Sequence, residues 1–184
     1  MKIIEIIIIS TFSCLFLFSC QEDKQYVYKY YEDGSIHKKI EAIYDTVPHG
    51  EWVEYYQNGE VKLLTSFDSG YNEGLRREYY ANGNIKSVLP MSKSKIQGFA
   101  KAFYANGNIL WSGTYINGIR DGIFKEYYEN DSGKILRERY FAFNPVINEE
   151  NLYAGKEYDK NGNIINYERI VDLVSSLDTI KVGL

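Results

Sequence analysis

The chain has 184 residues, 25 Asp and Glu against 21 Lys and Arg for a formal charge of −4, and 18 tyrosines. That length bounds it to about one domain, and the mixed-sign charges exclude the clustered basic surface that DNA or RNA binding requires, so no nucleic acid is expected as a partner. Both cysteines, Cys14 and Cys20, fall in the first twenty residues, which leaves the rest of the chain without a thiol for a disulfide, a redox couple or a thiolate metal site.

The first twenty residues read as an export segment. Lys2 supplies one positive charge, Ile3 to Phe18 is an apolar run broken by Glu5, and the stretch closes on Leu17-Phe18-Ser19-Cys20. That ending resembles a bacterial lipobox, in which a Leu three before the Cys and a small residue directly before it allow the thiol to be acylated and the preceding peptide removed. The resemblance implies a signal peptide over 1–19, lipidation at Cys20, a tether over 20–26 and attachment to a membrane through the lipid. It implies the bacterial cell envelope, at the outer membrane or cell surface. A transmembrane anchor is the alternative, for which the apolar run is short. The acidic start Gln21-Glu22-Asp23-Lys24 is similar to a short surface-display signal, or is a solvated tether.

A repeat follows. Glu54-Tyr55-Tyr56-Gln57-Asn58-Gly59 returns as Glu78-Tyr79-Tyr80-Ala81-Asn82-Gly83 and as Ala102-Phe103-Tyr104-Ala105-Asn106-Gly107, every 24 residues. A constant period of that length predicts one small unit stacked on copies of itself, so recurring residues are read first as builders of the fold. Two glycine series, Gly50, Gly74, Gly98, Gly122 and Gly59, Gly83, Gly107, mark its two turns. The stretches between are short and rich in Tyr, Phe, Val and Ile, which predicts strands. The Asn-Gly pairs at Asn58, Asn82, Asn106 and Asn161 predict two-residue type I′ hairpin turns, and the Gly50 series is expected to connect one hairpin to the next. Alternation places Trp52 and Tyr56 on one face and Tyr55 on the other. The fold class expected is all-β: an elongated, twisted, single-layer antiparallel sheet over 27–168, with about ten strands spanning roughly 50 Å, tied by ladders of aromatic side chains.

Two interruptions break the pattern. Ser87 to Ile96, containing Pro90 and Met91, replaces the usual second strand, and Pro90 predicts a bend there. A longer insert runs from Phe143 to Asn151 around Pro145. Residues 169–184 form a cap or tail: Ile170, Leu173, Val174 and Leu177 have helical spacing, while Tyr167 to Val171 would also serve as one more strand.

Residues His49 to Lys62 resemble the MORN repeat variant, and Thr114 to Phe124 resemble the linker into its next copy. The resemblance implies stacked β-hairpins across nearly the whole mature chain. Bacterial chains of this kind are similar to a group labelled antitoxins of a toxin-antitoxin or toxin-immunity type, and MORN arrays elsewhere serve as scaffolds and as membrane-proximal or protein-binding modules.

Catalysis is not expected, and neither is a cofactor or metal. Of two histidines, His49 sits where this repeat family carries one in its turn, and His37 has no partner in sequence; no nucleophile elbow or phosphate loop stands out. The leading expectation is a protein-binding module that captures a toxin domain or an envelope protein through Trp52, Tyr71, Trp111, Tyr115 and the interrupted stretch at Pro90 and Met91. A glycan-binding surface is a second expectation, requiring Trp52 and Trp111 to be free of close neighbours, and an envelope spacer is a third. Oligomeric state is left open.

Overall fold

The computed structural model describes residues 26–43 and 47–169. Cys20 and the helix-or-strand alternatives for the C-terminal segment beyond 169 lie outside the described residues. Within them every regular element is a strand: β1 (Tyr26–Tyr30), β2 (Ile36–Ile43), β3 (Val47–Tyr55), β4 (Val61–Asp68), β5 (Tyr71–Tyr79), β6 (Ile85–Ser92), β7 (Lys95–Ile96), β8 (Gly98–Phe103), β9 (Ile109–Ile116), β10 (Ile119–Tyr127), β11 (Ile135–Asn144), β12 (Glu149–Tyr158) and β13 (Ile164–Arg169). They form one antiparallel sheet in chain order, with the short β7 set off the main path against β6. Twelve strands in line span roughly 50 Å, so the expected single-layer sheet is present and holds more strands than the repeat count suggests.

The turns are the reverse of the expectation. The Asn-Gly loops are not two-residue type I′ turns: Gly59 N donates to Tyr56 O at 2.9 Å and Tyr56 N to Glu60 O at 2.8 Å, and only the glycine has positive φ, 85°. This is a type I turn closed by a glycine bulge. Asn58 Oδ1 accepts from Glu60 N at 3.2 Å, the local side-chain bond by which Asn supports a turn. The I′ geometry sits at the opposite end of the strands, where both residues of Ser69-Gly70, Lys93-Ser94 and Asn117-Gly118 have positive φ. Those turns connect successive hairpins. Gly50, Gly74 and Gly122 connect nothing; they lie inside β3, β5 and β10, with φ between 77° and 85°, beside register shifts against β2, β4 and β9. A residue with φ > 0 in mid-strand makes a bulge and bends the ribbon.

A ladder of tyrosines joins the hairpins, through hydrogen bonds and not through ring stacking. The hydroxyls of Tyr31, Tyr56, Tyr80, Tyr104 and Tyr128 donate to the backbone carbonyls of Tyr55, Tyr79, Phe103, Tyr127 and Tyr158 at 2.7–2.9 Å. Each bond reaches from one turn to the strand end of the next hairpin. Asn58, Asn82 and Asn106 add parallel amide bonds to Ala81, Ala105 and Glu129 carbonyls. At the last turn Asp159 occupies the ladder position, its N–H bonded to Asn163 O; the donor is gone and the ladder ends. Tyr104→Phe removes one mid-array rung and leaves the Tyr127 carbonyl without it. It is expected to cost about 1 kcal/mol, read as a lower denaturant midpoint at unchanged slope.

Burial is limited, as a single layer dictates. The buried apolar residues are Ile40, Val53, Met91, Ala100, Ala102, Phe124 and Phe141. The densest packing lies between β9 and β11, where Phe124 stacks on Trp111 at 5.1 Å and meets Phe141 edge-on at 6.3 Å.

Candidate functional site

The sequence-derived contact residues separate into packed and open ones. Trp52 on β3 is half-buried, 5.2 Å from Phe67 on β4, with its indole N–H donated to Glu54 at 3.2 Å and the Lys38 ammonium 5.3 Å over the ring. Trp111 on β9 is likewise half-buried, with Tyr115 beside it at 6.1 Å and Phe124 stacked on it. Neither indole meets the requirement of an aromatic free of close neighbours, so the platform expected for a sugar ring is not there. Tyr115 also touches Phe124 at 6.1 Å, and burial pushes its hydroxyl up from the ordinary tyrosine value. Trp111 and Tyr115 thus share one cluster, Trp52 belongs to another, and both clusters fasten neighbouring strands.

The stretch 87–96 is not a loop. β6 pairs with β5 from Ile85 to Met91, continuously from Ser87 onward after a register shift at Tyr79, then turns through Lys93-Ser94 into β7. Met91 is buried. Pro90 keeps its place because β6 pairs with β8 only at Ser87 and Val88, so no ladder donor is missed, and its carbonyl still accepts from Gln97 N at 2.8 Å. Tyr71, at 58 % exposure just past the Ser69-Gly70 turn, is the most open of the six. The second interruption does protrude: Val146 is 89 % and Ile147 55 % exposed on the turn between β11 and β12. Behind it, Arg120 grips Glu150 through its side chain and backbone N–H while its guanidinium lies 3.8 Å over the Phe141 ring.

The recurring carboxylates are held by cations rather than by tyrosines. Lys38 bonds Glu54 at 2.7 Å, Arg76 bonds Glu78 at 2.6 Å, and Arg137 and Arg139 converge on Glu126 at 3.3 and 3.1 Å. Partial burial pushes the Glu54 carboxyl up, but the Lys38 ammonium and the Trp52 N–H outweigh it and leave the group below the ordinary glutamate value. His37 packs on Tyr31 at 4.4 Å, and His49 lies 3.6 Å from Asp68 at the Ser69 turn. Among the described residues no group of three or more His, Cys, Asp or Glu is placed to hold a metal.

Sequence reasoning missed a set of open apolar side chains: Leu75, Phe99, Ile123 and Tyr140, between 46 and 55 % exposed. The signal was present, because the first three directly follow Gly74, Gly98 and Gly122, but the side they face depends on the strand register around each glycine.

A repeat protein with a ladder-tied open sheet is therefore the class that the fold defines. Residues 48–69, 72–92 and 120–142 each match the family model described as the MORN repeat variant. The Tyr104 rung lies between the second and third matches and continues the same ladder. No curated protein was found to match the chain.

Proposed function

We propose that this chain is a non-catalytic protein-binding module, anchored to a membrane of the bacterial cell envelope through lipid on Cys20, with an antitoxin- or immunity-like role toward a toxin domain or envelope protein. The observation that carries it is the periodic display of Leu75, Phe99 and Ile123 on strands locked by the tyrosine ladder. Apolar side chains held on a rigid surface give contact area at little ordering cost, which suits them to a protein partner. The packing of Trp52 and Trp111 argues against glycan binding at the indoles, and a spacer has no need for exposed apolar residues in register. More than one acyl chain makes lipid attachment stable.

The test uses the full chain with a C-terminal tag in the cells that produce it. It is expected in the membrane fraction, retaining one polypeptide in near-equal amount after mild detergent extraction, and Cys20→Ala is expected to lose the membrane association. Membrane partitioning unchanged in Cys20→Ala would overturn the anchor. Capture of no polypeptide would overturn the binding role.

A further inference from the structure

The two faces of the sheet treat their cations differently. Directly opposed residues of antiparallel neighbours point to the same side, so the register assigns each side chain a face. On the Trp52 face Lys38, Arg76, Arg137 and Arg139 are spent within the sheet, on Glu54, Glu78 and Glu126 as described, while Lys62 and Lys86 lie over the Tyr56 and Tyr80 rings. On the other face the register runs Arg77↔Val88↔Lys101↔Ser112↔Lys125. Arg77 and Lys101 have no ion pair among the described residues, and Lys125 has a long one, 3.5 Å to Glu138. Two residues before each cation stands an exposed apolar side chain, Leu75 at 46 %, Phe99 at 55 % and Ile123 at 53 %. A chain of net charge −4 thus repeats one pattern three times on this face, an open apolar side chain two residues before a cation. Arg77 and Lys101 are the two free of ion pairs among the described residues, and Lys101 lies 5.3 Å over the Phe99 ring. Asp121, in register with Thr114 and bonded to Phe143 N, shares the face.

We infer that this face docks an acidic amphipathic helix of a partner protein, laid across the strands from β5 to β10. The inference rests on the protein-binding reading above and adds its face and the partner's chemistry. The three apolar residues sit on every second strand of the sheet path, about 10 Å apart, and a helix repeats the same face every seven residues, a rise of roughly 10.5 Å. Apolar side chains at that interval seat on Leu75, Phe99 and Ile123. Carboxylates flanking them reach Arg77 and Lys101, supplying the countercharge that the sheet lacks there, and compete with Glu138 for Lys125. Pro90 opposite Leu75 continues the apolar row toward Phe99, and Thr114 opposite Phe99 interrupts it before Ile123. The row is one strip flanked by the cation row, a shape that suits the stripe of a helix.

The test places a photoreactive phenylalanine analogue at position 99 of the full chain, and in a second variant at Leu63 on the opposite face, in the cells that make the protein. From position 99 the cross-linked peptide is expected to be acidic, with apolar residues every seventh position. The yield is expected to fall at least ten-fold in Arg77→Glu, Lys101→Glu, Lys125→Glu combined. Should that triple variant lose its β-sheet circular dichroism, Lys101→Gln alone and washing of the membranes with 0.5 M salt before irradiation provide the same readout, each lowering the yield. A neutral or basic peptide, a yield indifferent to charge, or cross-links to lipid alone would overturn the inference. Protein cross-links from Leu63 only would overturn it while leaving the binding role intact, and cross-links from neither position would overturn both.

Discussion

Gly113→Ala is expected to lower stability by about 2–3 kcal/mol. A Cβ at this position would lie 2.2 Å from Phe124 Cδ2 and 2.8 Å from Cε2. The ring cannot step aside, because Trp111, Tyr115 and Phe141 surround it and the Arg120 guanidinium stands 5.6 Å over it. Gly113 is a place where a ring from the next strand lies directly on backbone. Equilibrium denaturation measures the loss. The double variant Gly113→Ala, Phe124→Leu is expected to be less impaired than the two single losses summed, since each relieves the other; strict additivity would show that ring and backbone are not in conflict.

Arg120→Ala is expected to cost about 2 kcal/mol, in the range for hydrogen bonds to a charged partner, because it removes the guanidinium bonds to Glu150 and the cation over Phe141 while leaving the backbone N–H bond. Arg120 bonds pull the Glu150 carboxyl below its ordinary 4.5, against an opposing push from burial. The sign follows: with a folded-state value below the unfolded one, the pair's stabilisation is fully present above about pH 4.5 and is lost as pH falls through the lower, folded value. Wild-type stability measured between pH 6 and pH 3 should therefore decline more than that of Glu150→Gln. Parallel curves for the two proteins would show that the clamp contributes nothing through ionisation. The turn carrying Val146 and Ile147 should also exchange its amide hydrogens faster in Arg120→Ala, since Glu150 is the second residue of its return strand.

Much of the architecture is legible in the amino-acid sequence. The 24-residue return of Tyr-Tyr-x-Asn-Gly announced stacked hairpins, and the second tyrosine of each pair proved to be the one that bonds the next unit. What the residues did not disclose was which turn is which. Asn-Gly satisfies a two-residue I′ loop and a type I turn with a glycine bulge equally well, and the choice depends on how the flanking strands align. Ser69-Gly70 and Lys93-Ser94 carry weaker turn signals, yet the I′ geometry falls there because the strand ends on both sides are already paired. The same shift misplaced the candidate site. Pro90 predicts a bend because a proline usually interrupts pairing, whereas on the side where Pro90 has no N–H to donate β6 meets Gln97, whose N–H donates to the Pro90 carbonyl.

The sequence by itself determined the repeat, its period, its strands and the all-β class, because these depend on local propensity and on spacing along one chain. Only the tertiary structure decided which aromatics are spent on packing and which apolar side chains stand open beside unpaired cations. Strand alternation has a period of two, so each bulge at Gly50, Gly74 and Gly122 re-aims every residue that follows it. The face of Leu75, Phe99 and Ile123 therefore follows from register between strands, a property that no single strand carries.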